Sequence, residues 1–266
     1  MDFNLSDHEL ERYARQLVMP ELGGAGQMRL KGANVLVVGA GALGTVVGGY
    51  LAAAGIGRLG VVDPDRVDLS NLQRQVLYSL ADIGHPKAQV AALRLGAMND
   101  EILVEPYPTR IETANADALI AGRDVVVDCS DSFETRYLIN DLAVKLGVPL
   151  VEAGVLGMDG VAMVILPGSS ACYRCAFPEP PVPGTVPSCA EAGLLGPVAG
   201  VIGSLQALEV IKLVAGIGTP ATDRVIQIEG NDLSFTTVRV QRRADCDACA
   251  LAMSPGRSEP VESTIT

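Results

Sequence analysis

Three glycines, Gly39, Gly41 and Gly44, lie in the run GAGALG, where a valine-rich stretch, Asn34–Val38, gives way to an alanine- and valine-rich one. This pattern reads as strand, tight turn and helix. The first glycine permits the turn, the second lets backbone approach a phosphate, and the third lets helix pack closely on strand. The helix start adds unpaired N–H groups and the positive end of its dipole. A second apolar run, Leu59–Val62, ends in Asp63, placed as the acid that accepts hydrogen bonds from a ribose in nucleotide folds. GAGALG alone indicates a nucleotide, most often NAD or FAD. The continuation shifts the balance, because Asp65, Asp68, Ser70, Asn71 and Arg74 follow, then Lys87 beyond a turn at Gly84–Pro86. Two fixed cations beside a glycine-rich turn suit a triphosphate better than a dinucleotide. The same spacing also allows Arg74 and Lys87 to be solvated surface charges.

The cysteines hold a second chemistry. Cys172-x-x-Cys175 and Cys246-x-x-Cys249 each have the spacing with which one knuckle grips a metal, and together they supply four sulfurs for a closed tetrahedral zinc site. A closed site is structural, and it would pin the C-terminal strands to the region before them. Redox dithiols are the alternative, disfavoured because neither pair opens a helix after a strand. Cys129 follows an apolar strand and reads as a buried small hydrophobe. Cys189 lies in a loop followed by Ala190 and Glu191, where a thiolate could be exposed; the residues leave its role open. With His8 and His85 as the only histidines, no Ser-His-Asp arrangement is available.

The elements that must position these residues alternate. Lys87 to Met98 reads as helix, Ile102 to Pro106 as strand, Ala114 to Ala121 as helix and Asp124 to Asp128 as strand, which makes a mostly parallel sheet covered on both faces. Asp131 lies just past that last strand, at the carboxyl end where open α/β sheets bind ligands. It could hold Mg²⁺ between phosphates or cap the helix starting near Phe133, and spacing does not separate the two. From Pro149 two alternating runs around Met158-Asp159-Gly160 predict an antiparallel hairpin. The proline-rich segment after Cys175 predicts a mobile loop crossing the site's face. Leu205 to Val214 continues a buried helix, and Arg224 to Gln241 supplies two or three strands. At the start, Ser6 and Glu9 have capping-box spacing and open a helix carrying Arg12 and Arg15 on its polar side. The whole is a Rossmann-like, doubly wound α/β fold with an antiparallel C-terminal extension. It divides into N-terminal helices over 5–31, a nucleotide-binding core over 32–150, a zinc-bearing part over 151–253 and a disordered tail over 254–266.

Composition agrees with a single globular unit. Hydrophobic residues are 48% and charged residues 19% of 266, enough for a sizeable core. A net charge of −11, from 20 basic and 31 acidic residues, would repel a nucleic-acid backbone. The uncharged segment Ala192 to Leu208 is broken by Gly193, Gly196, Pro197, Gly200 and Gly203, so a buried helix is expected and no membrane span. The first residues, MDFNLSDHELERY, lack a secretory or transit pattern, which predicts a cytoplasmic location.

The order of the motifs resembles the ThiF/MoeB/HesA group of ubiquitin-activating-like adenylyltransferases. The resemblance spans roughly residues 5 to 250. It is carried by RYARQ at Arg12 to Gln16, GAGALG, VDPDRVDLSNLQRQ at Val62 to Gln75, IGHPKA at Ile83 to Ala88 and DCSDSFETR at Asp128 to Arg136. CYRC, SCAEAG at Ser188 to Gly193, GVIGSLQALEVIK at Gly200 to Lys212 and CDAC complete it. The resemblance implies that ATP and Mg²⁺ are used to adenylate the C-terminal Gly-Gly carboxylate of a small ubiquitin-like sulfur carrier protein, with pyrophosphate released. A thiocarboxylate then forms with sulfur from a separate donor protein. The implied nucleotide set is Gly39, Gly41, Ala42, Gly44, Asp63, Ser70, Asn71, Arg74, Lys87, Asp131 and Ser132, with Asp131 as magnesium ligand. Arg15 would reach across a homodimer interface into the partner's site, and Cys189 matches a position that in some relatives carries sulfur. Two positions depart from the usual pattern: Ala42 stands where glycine is frequent, and Ser132 where asparagine is. An NAD-linked oxidoreductase and a non-catalytic dimeric scaffold are the rival readings.

Overall fold

The structure, a computed structural model, describes residues 5–182, 184–187 and 189–251, without the side chains of Cys189 and Ala190. The segment expected to be a disordered tail, 254–266, lies outside the described residues. In chain order the elements are α1 (Asp7–Arg12), α2 (Ala14–Leu17), α3 (Gly23–Gly32), β1 (Asn34–Val38), α4 (Ala42–Ala54), β2 (Arg58–Val62), α5 (Lys87–Met98) and β3 (Leu103–Tyr107). They continue through α6 (Ala116–Ile120), β4 (Val125–Asp128), α7 (Phe133–Leu146), β5 (Leu150–Leu156), β6 (Asp159–Ile165) and α8 (Tyr173–Ala176). The last are α9 (Cys189–Ala192), α10 (Gly196–Ala215), β7 (Arg224–Glu229), β8 (Ser234–Arg239) and α11 (Asp247–Ala250).

One eight-stranded sheet runs in the order β3-β2-β1-β4-β5-β6-β7-β8. The first five strands are parallel and the last three antiparallel, as expected. Side chains alternate across it, so Val35 and Val37 of β1 join one core with Leu43, Val47 and Leu51 of α4, while Leu36 and Val38 join the other with Ile120 and Ile139. Strand order reverses between β1 and β4, and the loops after both strands open onto the same crevice.

Several expectations change in detail. The N-terminal helices expected over 5–31 number three, the capping box of Ser6 and Glu9 is present, and Arg12 and Arg15, expected on one helix, lie on α1 and α2. The β5–β6 turn is Gly157-Met158 rather than Met158-Asp159-Gly160, because Leu156 pairs with Asp159 and Gly157 alone takes a left-handed φ of 61°. Of the two or three strands expected over Arg224 to Gln241, two are present. The buried helix begins at Gly196, with Pro197 tolerated in its first turn. This helix, α10, is long and apolar enough to cross a membrane, yet half of it is buried inside the protein. Its Gly203 lies against Val46 and the Leu43 carbonyl, where a Cβ would be 2.9 and 3.1 Å away.

Candidate nucleotide site and four-cysteine centre

The glycine-rich turn is built as its residue types require. Gly39 has φ 94°, and a Cβ there would stand 2.7 Å from the Cys129 carbonyl oxygen. A Cβ at Gly44 would overlap the Gly39 carbonyl, so α4 can approach β1 only without one. The turn is held from two sides. Ala40 N–H donates to Asp63 Oδ2 at 2.7 Å, and the Tyr78 hydroxyl donates to the Ala40 carbonyl at 2.8 Å. Asp63 Oδ1 accepts from Asp65 N–H at 2.8 Å. The carboxylate expected to meet a ribose thus also clamps the turn. Its burial pushes its pKa above the usual carboxylate range, with the Lys87 ammonium opposing.

Around this turn lies a cavity of about 270 Å³ lined by Gly39, Gly41, Ala42, Asp63, Asp65, Asn71, Arg74, Gln75, Lys87, Arg110, Ser130, Asp131, Ser132 and Arg136, among others. Lys87 is buried and lies 3.2 Å from Asp65 Oδ2, so it is no solvated charge. Arg74 is steadied by donating from Nη1 to the Ser70 carbonyl at 2.8 Å. Ser70 itself is exposed and does not line the cavity; it sits in the turn capped by Asp68, which accepts from its N–H at 2.8 Å. Asn71 closes that turn, its Oδ1 accepting from Asp68 N–H at 3.1 Å. Arg15 is exposed on α2 and does not reach its own chain's cavity, while Arg12 is engaged with the Met98 carbonyl and Asp100.

Of the two roles open to Asp131, capping belongs to its neighbour. Ser132 is the N-cap of α7 and accepts from Thr135 N–H at 3.4 Å. Asp131 is exposed at the cavity wall. Two buried polar atoms of the lining, Gln75 Oε1 and Ser130 Oγ, have no partner among the described residues, as expected of a cradle for a polar ligand.

A second cavity of about 750 Å³ adjoins the first and shares Asp131, Ser132, Arg136 and Val155 with it. Its far walls are Tyr173, Phe177, Leu156, Val161 and the proline-rich stretch at Pro181, Val186 and Pro187, with Glu179, Asp159 and Glu191 also in its lining. The loop expected over the site's face is therefore a wall of this groove. The side chain of Cys189 lies outside the described residues.

The four cysteines converge. Cys172 Sγ is 3.8 Å from Cys175 Sγ and 3.6 Å from Cys246 Sγ, and Cys175 Sγ is 3.6 Å from Cys249 Sγ. Zinc–sulfur bonds of about 2.3 Å in a tetrahedron require sulfur–sulfur edges of about 3.8 Å, so the geometry fits that ion. Cys172 and Cys246 are N-caps of α8 and α11, with Cys175 and Cys249 one turn in. Each pair does open a short helix, but from a loop and not directly from a strand. Cys129 is buried, as expected of a small hydrophobe.

Sequence reasoning passed over the group beneath the junction of the cavities. Arg136 is buried and its Nη1 lies 3.0 Å from Glu152 Oε1, while Asp128 sits beside Glu152 in register on β4 and β5. A carboxylate inside the apolar run of β5 was a visible signal of a buried ion pair. Gln75, Tyr78 and Thr135 carried no such signal.

The ThiF family profile matches residues 13–248. A sulfur carrier protein adenylyltransferase from Thermus thermophilus is 50% identical over 246 residues, covering 91% of each chain. A SAMP-activating enzyme E1 from Haloferax volcanii is 44% identical over 249 residues, covering 94% of this chain and 92% of its own. Among solved structures, E. coli MccB with ATP superposes with a TM-score of 0.74 at 27% identity, covering 85% of this chain and 68% of that one.

Proposed function

The chain belongs to the ThiF family, and on that footing we propose that it is an adenylyltransferase that activates the C-terminal Gly-Gly carboxylate of a ubiquitin-like sulfur carrier protein with ATP. The observation that carries the reading is the junction. A cradle of glycines and cations meets a longer groove at Asp131, Ser132 and Arg136, so a nucleotide and an extended chain end can be brought together there. A dinucleotide oxidoreductase would leave both the cationic pair and the groove without use.

In the reaction a carboxylate oxygen of the carrier bonds to the α-phosphorus, and the bond from that phosphorus to the α–β bridging oxygen breaks. Pyrophosphate leaves with the electron pair, and the acyl adenylate remains. No protein base is needed, so position and countercharge are what the enzyme supplies. The turn Gly39 to Gly44 and the start of α4 receive the phosphates, with Ala42 leaving slightly less room than glycine. Asp63 accepts from the ribose, while Asn71, Arg74 and Lys87 take up charge on the departing pyrophosphate. Asp131 would hold Mg²⁺, which would supply divalent countercharge to the phosphates. Arg15 would complete the partner's site in a homodimer. Cys172, Cys175, Cys246 and Cys249 would hold a structural Zn²⁺. Sulfur comes from a separate donor protein, and reduced thiols suit a cytoplasmic setting.

Pyrophosphate exchange with purified Gly-Gly-terminated ubiquitin-like proteins tests this. Asp131→Ala should lower exchange about a hundredfold or more, while calorimetry shows ATP affinity largely kept. An unsubstituted protein that exchanges with no such carrier refutes the function. Near-normal exchange in Asp131→Ala removes the metal role.

A further inference from the structure

Of the four residues shared by the two cavities, Arg136 is the one that is buried and charged. Arg136 rises from α7 into the junction, and its surroundings are built to fix it. On one side Nη1 forms a close ion pair with Glu152 at 3.0 Å; on the other Nη2 donates to the Ser130 carbonyl at 3.0 Å. Phe133 lies across the guanidinium with its ring centre 5.6 Å away. Gly154 makes the space: a Cβ there would collide with Nη1. Asp128, adjacent to Glu152 across the strands, accepts from Ser130 N–H at 2.8 Å, so the turn is gripped at both its N–H and its carbonyl.

Asp131 follows directly on that twice-held residue. We propose that Arg136 is a positioning residue for adenylation: braced from beneath by Glu152, it fixes the Ser130–Asp131 turn at the height where the carrier's carboxylate meets the α-phosphate. The inference rests on the adenylyltransferase reading. A guanidinium suits the task because its rigid fork keeps a hydrogen-bonded carbonyl and an ion-paired carboxylate at a set separation, which a lysine ammonium does not do. Both partners lie in the protein, so the fork holds the turn before any substrate arrives. Glu152 is buried and lines neither cavity, so it acts on substrate only through Arg136. Displacement of a reacting group by about 1 Å costs on the order of a hundredfold in rate.

The test is pyrophosphate exchange with Gly-Gly-terminated ubiquitin-like proteins by Arg136→Lys and Glu152→Gln, with kcat and the KM for ATP measured separately. Thermal unfolding and metal content run alongside. Arg136→Lys should lower kcat about a hundredfold and Glu152→Gln by a smaller factor in the same direction, each with KM for ATP little changed and the folded fraction intact. Should Arg136→Lys fail to fold, the isosteric Glu152→Gln still decides. Losses that follow the folded fraction, a change confined to KM, or wild-type kcat in Glu152→Gln would overturn the proposal and leave the function standing. Absence of exchange in the unsubstituted protein would remove both.

Discussion

Stripping metal from the four-cysteine centre should release the C-terminal extension before it unfolds the nucleotide half. The three sulfur–sulfur separations of 3.6, 3.6 and 3.8 Å lie close to the edge of about 3.8 Å that a tetrahedral zinc site demands. Disulfides would bring paired sulfurs to about 2.05 Å, which none of these approaches. In zinc-finger peptides such an ion is worth about 10–16 kcal/mol, as much as a whole domain's stability. In this protein that energy would act between α8 and α11, whereas the β1–β4 pairing and the α4–α10 packing would make no use of it. The protein purified without added zinc should contain one ion per chain, with thiols at 172, 175, 246 and 249 slow to react. A strong chelator should make those four thiols reactive together and raise amide exchange over β7, β8 and α11 first. A metal-free protein whose extension stays protected while the same thiols react at once would refute the reasoning.

Two further outcomes follow from the site. Mixing Arg15→Ala chains with Lys87→Ala chains should restore exchange activity that neither parent has, because each heterodimer assembles one intact site; a mixture as inactive as its parents after verified subunit exchange sinks the shared site. Glu152, facing Arg136, Asp128 and Tyr173, is pushed by burial to about 7 from an ordinary 4.5, with Arg136 opposing. The folded state then keeps a proton the unfolded chain has lost, so the stability this group contributes below pH 4.5 falls away as pH rises through about 7. Denaturant unfolding at several pH values should show that slope, and Glu152→Gln should flatten it; an unchanged slope assigns it to other groups.

How far the residues announced their own positions depends on whether local chemistry decided them. Gly39 and Gly44 were legible because positive φ at one and helix contact at the other exclude any side chain, whatever the rest of the chain does. Lys87 was ambiguous because exposure is set by tertiary packing, and only the loop from Asp65 to Pro86 folding back on it makes it buried. Asp131 and Ser132 are both good caps, and the choice between them turns on one residue of helix phase. The hairpin turn shifted for a similar reason: Gly157 and Gly160 could each serve, and cross-strand register chose Gly157. Glu152 inside an apolar strand signalled a buried ion pair, but its partner was out of reach, because Arg136 is on α7 and meets Glu152 only once that helix packs on β5.

The charges on the cavity wall bear on what must enter with the nucleotide. The lining carries four cations, Arg74, Lys87, Arg110 and Arg136, against three acids, Asp63, Asp65 and Asp131, a balance of plus one. Arg136 is already committed to Glu152, and Lys87 to Asp65. A triphosphate therefore meets too little free positive charge from this chain alone, within a protein whose net charge is −11. In a low-dielectric crevice that deficit is costly, since Coulomb terms grow as water is excluded. A divalent ion held by Asp131 and a guanidinium from a second subunit, both parts of the proposed function, would each lessen it. The same count explains why Ser132, and not Asp131, as the cap of α7 matters: a capping Asp131 would spend its carboxylate on backbone N–H groups and leave the crevice its negative charge without a carboxylate available to a cation.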